Sequence, residues 1–169
     1  MKLFRNIICF FLIIFSVTGC ASTSNENKLP NSKPADFNFI LNYGINAKNQ
    51  LNTIEGTYTK DMVLEASITT DLILSDEEMD IIYLTMKDIN ILNYPESFTP
   101  KSNTMATPFQ TYSIKIYYDG KEKSIYWKDE NISKAKEATQ LRALFERIKE
   151  FIYNKEEYKK LPQPKSGYC

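Results

Sequence analysis

Tyr112-Ser113-Ile114-Lys115-Ile116-Tyr117-Tyr118-Asp119-Gly120-Lys121-Glu122-Lys123-Ser124-Ile125-Tyr126-Trp127 alternates apolar and polar side chains on either side of an Asp-Gly pair. Period-two alternation marks half-buried strands. Asp-Gly suits the positive φ that both centre positions of a type I′ turn require. The stretch is therefore a hairpin. A two-residue loop fixes its register, with Tyr112 opposite Trp127 and Ile114 opposite Ile125 on one face, in line with Ile116 and Tyr118. Tyr117 and Tyr126 then point the other way. A lone hairpin is marginal in water and needs further strands or a helix against its apolar face.

Both are present in the flanking sequence. Downstream, Ala138, Leu141, Phe145, Ile148 and Ile152 recur at helical spacing, widened by Leu144 and Phe151, with Lys and Glu on the opposite side. Asp129, Asn131 or Ser133 is expected to cap that helix. Upstream, Ser75-Asp76-Glu77-Glu78 has the form of a capping box, and its acids suit the positive end of a helix dipole. Met79, Ile82, Met86 and Ile89 follow as a stripe flanked by Tyr83, and Pro95 biases Tyr94 away from helix, so this helix stops near 90–93. Phe37, Phe39, Leu41 and Tyr43 alternate as a first strand, and Gln50–Ile54 is a short strand turning at Gly56. Met62, Leu64, Ala66, Ile68, Thr70, Leu72 and Leu74 predict one longer strand, with or without a bulge. The expected fold is α+β: an antiparallel sheet with two helices on one face, in the order β-β-α-β-β-α. Residues 95–108, with three prolines, form a connection long enough to be functional or mobile.

At the other end of the chain, Lys2 and Arg5 precede an apolar run from Ile7 to Val17, broken only by Ser16. The run is too short to span a bilayer, which takes about 20 apolar residues. It has the length of a signal-peptide h-region. Val17-Thr18-Gly19-Cys20 resembles the lipobox of bacterial lipoproteins. The resemblance implies cleavage before Cys20 and a thioether-linked diacylglycerol on Cys20, hence a membrane partner through that lipid and an extracytoplasmic location at the cell membrane. The domain that follows resembles small lipoproteins of low-GC Gram-positive bacteria, with which its richness in Asn, Lys and Ile agrees.

These expectations divide the chain into a signal peptide (1–19), the lipidated Cys20 with a flexible tether (20–35), one globular domain (36–157) and an extended tail (158–169). Residues 21–35 contain too little apolar surface to offset the entropy of ordering. As a coil they span about 20 Å root-mean-square. The 150 residues from Cys20 onward suffice for one domain, since a chain of this size buries roughly 68–70% of its extended surface.

Composition narrows the chemistry. Without the signal, 19 basic side chains face 21 acidic ones, and no basic stripe of a nucleic-acid binder is visible. Cys9 departs with the signal and Cys20 carries lipid, so Cys169 is either a free thiol or pairs between chains. The chain has no histidine. That removes the commonest general base, the commonest zinc ligand and any Ser-His or Cys-His pair. Ser133-Lys134-Ala135-Lys136 and Lys165-Ser166-Gly167 have the form of penicillin-recognising motifs but lie too close in sequence, and fit a helix cap and a tail. Asp76, Glu77, Glu78 and Asp80 lack the spacing of an EF-hand. Asp119 with Asp129 and Glu130 fit a turn and a cap better than a glycosidase pair.

No metal or cofactor is called for, and the expected role is non-catalytic: binding of a peptide or protein partner, as in an inhibitor or immunity protein. A carboxylate-dependent envelope enzyme and a structural assembly factor are the alternatives. Tyr112, Tyr117, Tyr118, Tyr126 and Trp127 are the candidate binding surface. Rings on both faces exceed what a half-buried sheet requires, and Tyr and Trp suit contacts. Burial beneath the 95–108 loop is the competing reading.

Overall fold

The computed structural model describes residues 27–102 and 104–168. The lipobox, Cys20 and Cys169 lie outside the described residues. Six strands form one antiparallel sheet: β1 Asn38–Tyr43, β2 Asn49–Asn52, β3 Thr57–Lys60, β4 Ile68–Asp71, β5 Met105–Tyr118 and β6 Lys121–Asn131, in spatial order β4-β3-β2-β1-β5-β6. Helices α1 (Asp76–Asp88), α2 (Lys136–Asn154) and the short α3 (Glu156–Lys159) complete the α+β architecture.

The hairpin has the predicted register, with Tyr112 opposite Trp127, Ile114 opposite Ile125 and Tyr118 opposite Lys121. Asp119 and Gly120 form its tip with φ of 51° and 68°. Asp36 ties that tip to the start of β1, accepting from Asp119 N at 2.8 Å and Gly120 N at 2.7 Å. These two amides hold the Asp36 carboxyl below its ordinary value of 3.8. The link contributes stability above the unfolded-state value and loses it as pH falls through the depressed one. An NMR titration should place the Asp36 midpoint below 3.8, with the Asp119 and Gly120 amides following the same curve.

Phe39, Leu41, Leu51, Tyr58, Tyr112, Ile114, Ile116, Ile125 and Trp127 point to one side of the sheet. They share a single core with Ile82, Tyr83 and Met86 of α1 and the predicted Ala138-to-Ile152 stripe of α2. Both helices therefore cover the same sheet face. The other face, carrying Asn42, Gln50, Thr59, Ser113, Lys115 and Tyr126 on registered positions, is polar. The α1 capping box forms as expected: Glu78 N donates to Ser75 Oγ, and Ser75 N to Glu78 Oε2.

Four expectations need correction. The order before α1 is four strands, not two: 49–52 and 57–60 are both strands of the sheet, and the expected 62–74 strand is cut back to Ile68–Asp71. Asp61 Oδ1 accepts from Val63 N at 3.0 Å, and Leu64 N bonds to Met62 O, turning the chain back. Leu64 is 83% exposed, and β3, with Tyr58 as its one apolar inward residue, takes the place beside β2.

The expected caps of α2 do other work. Asp129 lies within β6 and binds Arg142 through Nε (2.5 Å) and Nη2 (2.6 Å). Ser133 Oγ donates to Lys101 O, and no side chain caps the helix.

The tether is shorter than expected. From Asn27 the chain lies along α1: Leu29 is buried, Tyr83 Oη donates to Pro30 O at 2.7 Å, and Lys33 pairs with Asp80 at 2.5 Å. One buried leucine, together with hydrogen bonds from Tyr83 and Lys87 and the Lys33–Asp80 pair, docks a segment whose composition alone reads as free.

The 95–108 loop is also shorter than its prolines suggest. Residues from Met105 join β5, with a cis peptide at Thr107–Pro108. Glu96 to Phe98 run beside the edge of β6, where Tyr126 N donates to Glu96 O and Phe98 N to Tyr126 O. That cover blunts one sheet edge.

Candidate functional site

The structure separates the five aromatics of the hairpin. Tyr112 and Trp127 are buried beneath α2, Tyr112 stacking on Phe145 at 4.5 Å and Trp127 meeting Phe98 at 5.2 Å. They belong to the core and cannot form a contact surface. Tyr118 is half-buried against the same core. Tyr117 and Tyr126 do face outward, opposite Glu122 and Ser113. Nine positions apart around the turn, they sit four ladder steps from each other, about 13 Å at 3.3 Å per residue. Tyr117 lines a depression of about 520 Å³ with Asp36, Asn38, Ile54 and Glu122, in which Tyr126 has no part.

A different place gathers the tyrosines. At the end of β1, a cleft of about 580 Å³ is lined by Tyr43, Tyr58, Tyr153, Tyr158 and Tyr168, with Asn49, Lys60, Asp61, Gln110, Glu146 and Lys149. The last residues of β1 and β3 form its floor, α2 and α3 one wall, and the C-terminal strap from Leu161 to Tyr168 the other.

The floor is built from satisfied hydrogen bonds. Tyr43 and Tyr58 hydroxyls are 2.7 Å apart, and Tyr58 Oη also reaches Asn49 Oδ1 at 3.3 Å. A phenol has one proton, so Tyr43 donates to Tyr58 and Tyr58 to Asn49. Asn49 further accepts from Asp61 N and donates to Tyr43 O. Burial pushes both phenols far above their ordinary range. They stay protonated and act as hydrogen-bonding groups rather than bases. Burial also raises Tyr158.

Backbone geometry at the rim is unusual. Gly44 has φ of 99° and ψ of −170°, a region open to glycine alone, and a Cβ there would lie 2.6 Å from Asn49 Nδ2. Val63 carries a φ of 66°, rare for a β-branched residue. Gly44→Ala is expected to cost about 1–3 kcal/mol and to loosen Asn49 from Tyr58. Chemical denaturation, with the Asn49 side-chain amide resonance followed by NMR, checks both effects.

The charges are uneven. Lys149 pairs with Glu146 at 2.6 Å and lies 5.8 Å from the Tyr43 ring. Asp61 receives Val63 N and, at 2.5 Å, the Tyr168 hydroxyl. Lys60 is 4% exposed and has no carboxylate partner among the described residues. Its ammonium donates to Pro162 O at 2.9 Å and Gln163 Oε1 at 3.4 Å, and lies 5.0 Å from the Tyr158 ring centre. Desolvation moves its pKa down.

The remaining sequence motifs fall apart in space. Ser133 sits before α2, while Lys165 pairs with Glu65 at 2.6 Å beside the β3–β4 turn. Glu78 and Asp80 of the acidic run are taken by Lys155 and Lys33. Among the described residues no group of three or more Cys, Asp or Glu is arranged to hold a metal, and no helix is long and apolar enough to cross a membrane.

Fold and site thus define an α+β protein with a helix-covered sheet, one polar sheet face and a tyrosine-lined cleft at a sheet end. No known protein family matches the chain, and no curated protein or solved structure is significantly similar to it.

Proposed function

We propose that the protein is a lipid-anchored, extracytoplasmic binding module whose peptide or protein partner enters the tyrosine cleft, with the membrane engaged through diacylglyceryl-Cys20. The cleft carries the reading: five phenol rings, amide groups and the Lys60 ammonium, which has no carboxylate partner among the described residues, converge on it. Rigid amphipathic rings give contact area at low entropic cost. The protonated phenols favour recognition over proton transfer.

The placement of the cleft supports the same reading. Asn27 Nδ2 donates to Leu92 O, and Tyr94 Oη donates to Glu137 O, so the chain enters beside the start of α2. Tyr153 is sixteen residues further along that helix, about 24 Å at 1.5 Å per residue. Asn27, the first described residue, and the cleft thus lie toward opposite ends of α2.

Co-purification from detergent-solubilised membranes, comparing wild type with a Tyr153→Ala/Tyr158→Ala variant, tests this. Loss of a partner with the variant supports it, and identical partner lists contradict it. Asp61 and Glu146 both line the cleft, which gives a carboxylate-dependent hydrolase its one specific observation. Each already holds an internal donor, Val63 N or Lys149, and this makes catalysis the second reading.

A further inference from the structure

Among the described residues, Lys60 is the one cleft cation without an anion. A lysine ammonium withdrawn from water loses solvation that a carboxylate ordinarily makes good. Here two neutral oxygens and a ring face stand in its place, and both oxygens come from the strap. Lys48, at the rim, interacts with Tyr168 and, through space, with Asp61; Lys149 has Glu146. The strap is held by little besides Lys60. Its Lys165–Glu65 pair is 82% and 45% exposed, and such pairs are worth at most about 1 kcal/mol. Leu161 is only partly buried, its N donates to Tyr158 O, and Tyr168 adds a hydrogen bond to Asp61 and a ring contact with the exposed Lys48.

We infer that Lys60 is the anchor for a carboxylate on the partner, and that the partner enters as an extended acidic peptide in place of strap residues 162–164. This rests on the cleft being the binding site. The strap itself selects a peptide over a sugar: the segment seated on Lys60 is an extended polypeptide, Leu161-Pro162-Gln163-Pro164, that presents a backbone carbonyl and a side-chain oxygen to one ammonium. Proline-bearing extended segments dock on aromatic-lined grooves because their backbone is already ordered. A glutamate at the position of Gln163 adds the opposite full charge to a contact that now has only an ionised donor, turning an ion–dipole bond into a hydrogen-bonded ion pair. The strap is then a weak internal occupant that a better-charged competitor displaces.

The test uses the intact protein in mild detergent and two fluorescent peptides, Leu-Pro-Glu-Pro-Lys-Ser-Gly-Tyr and its Gln counterpart, read by anisotropy at low salt. The Glu peptide is expected to bind about tenfold more tightly than the Gln peptide, with the ratio shrinking as salt rises. Lys60→Met keeps the buried stem and removes the charge. It should fold with stability at least equal to wild type, and bring the two peptides within about twofold of each other. Gln163→Glu supplies the missing carboxylate from the strap and should weaken the Glu peptide about tenfold.

Equal binding of the two peptides to wild type, a ratio that survives Lys60→Met, or no binding of either peptide overturns the inference. Tighter binding of a hexuronate trisaccharide than of the Glu peptide overturns it in favour of an acidic glycan. A partner lost in the Tyr153/Tyr158 variant together with equal peptide affinities removes the carboxylate anchor alone and leaves the cleft as the site.

Discussion

Trp127→Ala is expected to destabilise the domain by about 3–5 kcal/mol, a large share of the roughly 5–15 kcal/mol that holds such a domain together. Trp127 has no exposed surface and joins three parts of the chain. It faces Tyr112 across the hairpin at 5.7 Å, meets Phe98 of the edge-covering loop at 5.2 Å, and lies 5.0 Å beneath the Arg142 guanidinium of α2. Truncation leaves a cavity between sheet and helix and frees the loop that blunts β6. Its Nε1 has no hydrogen-bond partner among the described residues, so Trp127→Phe sheds an unsatisfied donor with the lost area and should cost much less. Tyr126→Ala, on the next residue but the open face, is expected within about 1 kcal/mol of wild type. Urea unfolding of the three variants, compared at constant slope, separates core from surface directly.

Asp129→Ala is the second large effect, about 2–3 kcal/mol. Removing one member of a buried pair costs 3–5 kcal/mol because the other charge is stranded, and this pair, 12% and 28% exposed, belongs below that range. Arg142 would keep hydrogen bonds to Ser133 O at 2.7 Å and Asn131 O at 3.3 Å but lose both to the carboxylate. The guanidinium also pins the 129–133 segment, which enters α2 without a side-chain cap. Fraying at the start of α2 should accompany the loss and be visible as faster amide exchange at Ala138–Gln140. Asp129→Ala/Arg142→Met removes the stranded charge and should recover part of the stability. A double mutant no better than the single would place the cost in the backbone rather than in the unpaired guanidinium.

What could be read in the sequence was what local chemistry determines. The Asp119-Gly120 turn set the hairpin register, the Ser75/Glu78 pair set the start of α1, and the α2 stripe needed only its own 3.6-residue period. β3 was not legible because Thr57-Tyr58-Thr59-Lys60 carries a single inward apolar side chain. The 62–74 alternation looked continuous because the turn that breaks it depends on Asp61, a residue bonded to Asn49 and Tyr168 from elsewhere in the chain. The aromatic density of the hairpin was real, but pairing across it sends Tyr112 and Trp127 under α2. The cleft had no local signature. Its tyrosines come from positions 43, 58, 153, 158 and 168, and only strand order β3-β2-β1 and the return of the tail bring them together. Tyr153 and Tyr158, aromatic yet off the buried stripe of α2, were the nearest thing to a hint.

The central claim is that the cleft, not the hairpin face, meets the partner. Photo-crosslinking in intact cells, with a benzophenone side chain placed at position 153 or at position 126, tests it most directly. A discrete adduct from 153 with none from 126 is the predicted result. Adducts from 126 alone, or none from either position, contradict it.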